Sequence, residues 1–139
     1  MTLVRRLLPL CLLPLAMQAA DPQLAFNRDI RPILSENCFS CHGFDEKARK
    51  AKLRLDLPEE ATRAHKGGTP IVPGDLAKSE VWQRIISDDP DDVMPPPKSH
   101  LKLSAQDKAT LKAWIQQGAK YESHWAFAAP KETPVPTAG

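Results

Sequence analysis

The sequence predicts a small all-α domain of short helices joined by long, proline-rich loops. Three segments place apolar residues at the three- and four-residue spacing of an amphipathic helix, and strand-like alternation occurs in one short stretch. Twelve of the 14 prolines lie after residue 20, roughly twice the usual share. Because proline fixes φ and has no backbone N–H, these residues keep each helix short.

Residues 1–20 are expected to be a secretory signal peptide and not part of this domain. Arg5 and Arg6 precede an apolar run that extends to about Met17, and two alanines close the segment. The run is shorter than the roughly 20 residues that a membrane-spanning helix needs. We therefore expect an exported protein, periplasmic or in the cell envelope, that begins at Asp21 and has no membrane span.

The composition after the signal peptide limits which metal sites and binding functions the domain can have. Cys11 is removed with it, and bulky Leu10 disfavours lipid attachment there. The cysteines that remain are Cys38 and Cys41, and the methionine that remains is Met94. A zinc site with three or four cysteines is therefore excluded. Two of the 19 lysines and arginines are also removed, so 17 balance the 17 acids, and no basic stripe predicts nucleic-acid binding.

The first helix is predicted over residues 26–37. Its apolar face consists of Phe26, Ile30, Ile33 and Leu34. Asn27 or Asp29 is available as the N-cap, and Pro32 must lie in or near the first turn. This helix delivers the chain into Cys38.

The middle of the chain predicts loops and short helices. Residues 53–57 alternate leucine with charge, as in a short extended piece. A helical turn over residues 59–65 would end at two glycines. A further helix over residues 78–86 is broken by four acids and Pro90. Its apolar face consists of Val81, Trp82, Ile85 and Ile86.

A stiff loop and a capped helix complete the domain. Residues 93–97 read Val-Met-Pro-Pro-Pro, a segment that no helix can contain. Ser104 and Asp107 resemble a capping box that opens the final helix, and Gly118 closes it. Its apolar face consists of Leu111, Trp114 and Ile115.

The chain is organised around the motif Cys38-Phe39-Ser40-Cys41-His42, the Cys-x-x-Cys-His pattern that attaches a c-type haem. Two thiols three positions apart can each form a thioether with one vinyl group of the porphyrin. The imidazole of His42 then lies beneath the ring, where it can ligate the iron. One covalent haem c would also support the core of an exported domain that has no structural disulfide.

The same two cysteines could instead serve thiol–disulfide exchange. A thioredoxin-like module would place a βαβ pattern around them, and no such pattern is visible in the sequence. The sequence therefore favours haem attachment through Cys38 and Cys41.

Met94 is the candidate for the second axial ligand of the iron. A methionine is more often a core filler, but this one lies in a proline-stiffened loop and not on a helix face. A thioether ligand raises the haem potential, as electron carriers require. His65, His100 and His124 compete for the position, although each is expected to be a solvated surface residue.

Leu101, Leu111 and Trp114 are expected to line the haem pocket, with Trp114 at the haem edge. The acids within residues 88–92 could suggest calcium. They lack the glycine and terminal glutamate spacing of a calcium loop, so a solvated acidic turn is the interpretation we favour.

Several stretches together resemble the planctomycete-type cytochrome c domain. They are residues 26–34, the motif at 38–42, residues 71–75, Met94-Pro95-Pro96 and the helix over 103–118. The resemblance runs from about Phe26 to Phe127. It implies a small class I-like monohaem fold, found at the N-terminus of large exported proteins with further C-terminal domains. We expect the domain to occupy residues 21–128 and residues 129–139 to form a flexible tail or the start of a linker.

The function expected from the motif and the resemblance is one-electron transfer by Fe(III)/Fe(II) cycling, with a redox partner protein and no substrate at the iron. The protein is then an electron carrier and not an enzyme. One rival is a haem peroxidase or gas-sensing domain, which requires a displaceable sixth ligand. The other is a haem-bearing docking module of a larger exported enzyme.

Overall fold

The computed structural model describes residues 22–123 and residue 126. The predicted signal peptide and the predicted tail lie outside these residues. Within them the chain forms a π-helical turn, five α-helices and one 3-10 turn. In chain order these are the π-turn Phe26–Ile30, α1 Arg31–Asn37, α2 Phe39–His42, α3 Pro58–Thr62, α4 Glu80–Ile86, the 3-10 turn Pro97–Ser99 and α5 Ala105–Gln116.

The all-α prediction is confirmed, because the described part of the chain contains isolated β-bridges but no strand. The prediction of an extended piece at residues 53–57 was wrong, since Leu55 and Asp56 lie in a turn. No helix among residues 22–123 is long and apolar enough to cross a membrane.

The first predicted helix forms as two consecutive segments. The π-turn passes directly into α1, and Pro32 lies in the first turn of α1, where a missing N–H costs little. Neither predicted N-cap holds that position, because the cap residue is Ala25. Asp29 still contributes to this end of the helix, because its carboxylate accepts the hydrogen bond from the Ala25 N–H at 2.8 Å.

The final helix has the caps that the sequence predicts. The Ser104 hydroxyl accepts the Asp107 N–H at 3.0 Å, and the Asp107 carboxylate accepts the Ser104 N–H at 2.9 Å. These reciprocal bonds satisfy two donors that an α-helix leaves unpaired at its start. Beyond the last turn Gly118 has φ 98°, a left-handed conformation that favours glycine.

The hydrophobic core is built where the first helix meets α5. Phe26, Trp114 and Tyr121 form an aromatic cluster with ring centroids 4.5 to 5.8 Å apart. The Trp114 indole N–H donates to the Lys120 carbonyl at 3.2 Å, so the polar edge of the ring is satisfied. The buried residues packed around this cluster are Ile30, Leu34, Leu55, Ala61, Ile71, Ile85, Leu103, Leu111, Ile115 and Ala119.

The segment between α3 and α4 is secured by a buried serine. The Ser79 hydroxyl donates to the Asp75 carbonyl at 2.6 Å and accepts the Val72 N–H at 2.9 Å. The Gly74 N–H donates to the Ile115 carbonyl at 2.8 Å. These bonds attach the turn before α4 to the end of α5, which fixes where α4 begins.

Candidate functional site

An apolar cavity of about 310 Å³ lies against the motif. Four parts of the chain form its walls: the motif with the residue before it, the loop at residues 51–55, one face of α4, and the loop that contains Met94. The lining residues are Asn37, Cys38, Ser40, Cys41, His42, Ala51, Leu53, Leu55, Val81, Arg84, Ile85, Met94, Pro95, Pro96, Ser99, Leu101 and Leu103. The structure therefore brings together the four residues that the sequence singled out for haem attachment and iron ligation, namely Cys38, Cys41, His42 and Met94.

The motif folds as one short helical turn. The Cys38 carbonyl accepts the His42 N–H at 2.8 Å, which places the two thiols and the imidazole on a single turn beside the cavity. Gly43 follows immediately, and a Cβ there would lie 2.3 Å from the Phe39 carbonyl oxygen. Only glycine fits at this position without a shift of the backbone.

The backbone of the motif is held from the loop that follows it. The Cys41 carbonyl accepts the Lys50 N–H at 2.7 Å, and the His42 carbonyl accepts the Leu55 N–H at 2.8 Å. The Leu55 carbonyl in turn accepts the Tyr121 hydroxyl at 3.0 Å. The aromatic cluster of the core thus connects to His42 through one residue.

The two cysteines are free thiols with intermediate exposure. Burial raises the pKa of Cys38 to about 12, and the neighbouring Cys41 sulfur acts in the same direction. A thiol–disulfide catalyst needs a thiolate near neutral pH, which is obtained by a lowered pKa. This environment does not suit that alternative.

His42 borders the cavity with a neutral ring. Burial lowers its pKa, the backbone of Lys50 acts against this, and the charge of Arg84 lowers it further. Its Nδ1 atom is buried and has no hydrogen-bond partner among the residues that the structure describes. A neutral imidazole that lies next to a cavity and has a ring nitrogen without a hydrogen-bond partner is suited to ligate a metal.

Met94 also lines the cavity, from a loop tied to α4. Its N–H donates to the Arg84 carbonyl at 3.0 Å. The residues after it form the 3-10 turn, and the Ser99 hydroxyl donates to the Pro96 carbonyl at 2.7 Å. Met94 also borders a second cavity of about 150 Å³, which Lys102 and Lys108 help to line.

The two histidines that compete with Met94 as iron ligand and that the structure describes lie outside the cavity lining. His65 contacts the Glu60 carbonyl through Nε2 at 3.1 Å and is not in the lining. His100 is exposed, with φ 59°, and is also absent from the lining. His124 is outside the described residues.

The acidic turn at residues 88–92 shows no sign of a metal site. Asp92 pairs with Arg84 at 3.1 Å. Among the described residues, no group of three or more acidic, cysteine or histidine side chains is placed to hold a metal ion.

Of the three expected pocket residues, one lies in the lining and two do not. Leu101 lines the cavity. Leu111 and Trp114 lie in the core instead, because the apolar face of α5 packs against the first helix. Sequence reasoning also missed Arg84, although its position three residues after Val81 and one before Ile85 places it beside the apolar face of α4.

These residues fit a covalently attached haem. Two free thiols border a cavity wall, a buried imidazole nitrogen lacks a partner in the described chain, and a thioether faces the same space. The lining between them is mostly apolar, as a porphyrin requires. The donor set of sulfur and imidazole is one that haem iron accepts.

A helical fold with such a cavity beside Cys-x-x-Cys-His defines a cytochrome c-type domain, a class that transfers electrons through haem. Residues 38–98 match the family model for planctomycete cytochrome C, and the match includes both the motif and Met94. The chain therefore contains a planctomycete-type cytochrome c domain, as the resemblance predicted. No match was found among curated proteins or among solved structures. The wider extent expected from the resemblance, through α1 and α5, stays a prediction.

Proposed function

We propose that this protein is an exported monohaem c-type cytochrome that carries single electrons between redox partner proteins in the periplasm or cell envelope. The observation that carries the proposal is that Cys38, Cys41, His42 and Met94 all border one apolar cavity. The motif would supply the attachment and one iron ligand, and the loop after α4 would supply the other.

In this proposal each residue has a separate role. Cys38 and Cys41 add their thiols to the two vinyl groups, and the thioethers formed keep the cofactor on the chain. His42 and Met94 would ligate the iron, and a methionine thioether favours the reduced state. When bound, the haem would supply reversible one-electron chemistry between Fe(III) and Fe(II).

The rest of the lining limits what reaches the site. Leucine, isoleucine, valine and proline side chains make up much of the cavity lining. Low local polarity strengthens the effect of every nearby charge on the iron. Two protein ligands leave no open position for a substrate, so the chemistry supported is electron transfer and not turnover at the metal.

Acid–acetone extraction of the holoprotein tests the attachment. The protein is made in a host that exports it and attaches c-type haem. We expect the haem to stay on the polypeptide of the wild type and of Ser40→Ala, which changes a motif position without a thiol. The variant with Cys38→Ala and Cys41→Ala should release or lack haem. Free haem released from the wild type would overturn the proposal.

A further inference from the structure

Among the residues that the structure describes, Arg84 is the one cationic side chain in the lining of the larger cavity. It lies on α4, next to Ile85, which is buried in the core. The side chain of Arg84 is 42% exposed, so it lies between the cavity and solvent.

Arg84 also holds the loop that carries Met94. Its carbonyl accepts the Met94 N–H at 3.0 Å, and its Nη1 contacts a carboxylate oxygen of Asp92 at 3.1 Å. Glu80, one turn earlier on α4, approaches Nε at 3.6 Å. Neither acid is part of the cavity lining, so the cation is the member of this group that faces the cavity.

We propose that Arg84 sets the reduction potential of the haem by placing a positive charge at the cavity wall, with Asp92 and Glu80 moderating that charge. The inference rests on the proposed function. It goes beyond that function by assigning the potential to a residue that is neither an attachment site nor an axial ligand.

The direction of the effect follows from charge. The oxidised haem carries one more positive charge than the reduced haem, so a nearby cation disfavours oxidation and raises the potential. At an effective dielectric constant of about 20, a unit charge roughly 10 Å away changes the reduced-to-oxidised ratio by about tenfold. Salt weakens interactions that pass through solvent, and the exposed edge of Arg84 makes part of its effect sensitive to ionic strength.

The test is a redox titration of the purified holoprotein and four variants, with the methionine–iron band of the oxidised form recorded in each. Arg84→Gln should lower the reduced-to-oxidised ratio at fixed applied potential by about tenfold, less at high salt. Arg84→Lys keeps the charge and should stay near the wild type. Asp92→Asn removes a moderating acid and should shift the ratio the opposite way. Arg63→Gln is the matched control, since Arg63 pairs with an acid at i,i+3 but lies outside the cavity lining.

Three results would overturn the inference. One is an unchanged potential in Arg84→Gln. The second is an equal fall in Arg84→Gln and Arg84→Lys with loss of the methionine–iron band, which would show that Arg84 only positions the loop. The third is a fall in Asp92→Asn. Failure of the proposed function can be distinguished from failure of this inference. In that case the wild type itself would lack covalent haem or its methionine–iron band, before any variant is compared.

Discussion

His42 and Met94 are held by different means, although they border the same cavity. His42 belongs to a helical turn whose carbonyls are bonded to Lys50 and Leu55. Met94 belongs to a loop without regular structure, and its backbone is attached to α4 through the Arg84 carbonyl. The histidine side of the site is therefore supported by the core, whereas the methionine side depends on one loop. We expect the methionine side to be the more sensitive to substitution.

Replacement of the methionine tests its role at the iron. Met94→Ala should abolish any methionine–iron charge-transfer band of the oxidised protein, lower its potential and open the iron to added ligands. Absorption spectra with and without an exogenous ligand measure the band and the access to the iron, and a redox titration measures the potential. An unchanged spectrum would show that another residue ligates the iron. His100→Ala is the control, and the exposed imidazole of His100 should be dispensable.

Single residues also show which parts of the site the sequence could predict. The motif and the loop methionine could be picked out from the sequence, because the first is a short local pattern and the second precedes three prolines, and the structure places both beside one cavity. Leu111 and Trp114 were misplaced because periodicity identifies a buried face but not the partner that covers it. Arg84 was missed because a charged residue beside an apolar stripe is usually solvated, and only the tertiary structure shows that it borders a cavity.

Among the elements, the helices with strong caps were the most predictable. α5 begins at the expected serine because its capping box is encoded within four residues. The alternation at residues 53–57 was misleading because Leu53 and Leu55 face the cavity from a turn, with no neighbouring strand to pair with. The short helix α2 was also not foreseen as an element, since four residues carry no periodic signal.

The turn that contains the motif depends on the glycine after it. Gly43→Ala would force a Cβ against the Phe39 carbonyl oxygen, so the turn must shift. We expect a loss of about 1 to 3 kcal/mol in the free energy of unfolding, the range typical of overpacking, together with less haem incorporated. Chemical denaturation and the haem-to-protein ratio measure these effects.

Gly67→Ala is the matched control, because a Cβ at Gly67 would meet nothing within 4 Å. Its stability should be unchanged or slightly higher, since alanine restricts the unfolded chain. Equal behaviour of the two variants would show that the motif turn adapts without cost.

At the scale of the whole molecule, one side of the fold is a conventional core and the other side is a cavity. The aromatic cluster joins the first helix to α5, while the cavity separates the motif from α4 and the Met94 loop. Without a cofactor, the apolar side chains around the cavity would lack packing partners on that side. The domain is therefore expected to need its cofactor to fold fully.

Removal of both attachment cysteines tests this dependence. The variant with Cys38→Ala and Cys41→Ala should have a lower helix content and a lower melting temperature than the wild type, with Ser40→Ala unaffected. Circular dichroism in the far ultraviolet measures both quantities. A double variant as helical and as stable as the holoprotein would show that the chain folds without haem.

Redox-titrated absorption spectroscopy of the purified holoprotein tests the central claim most directly. If His42 and Met94 ligate one covalent haem that carries single electrons, the protein should show one reversible transition. The oxidised-to-reduced ratio should change tenfold for each 59 mV or so, as expected for one electron. The oxidised form should show a methionine–iron band. A spectrum without that band, or a transition that is absent or irreversible, would contradict the account.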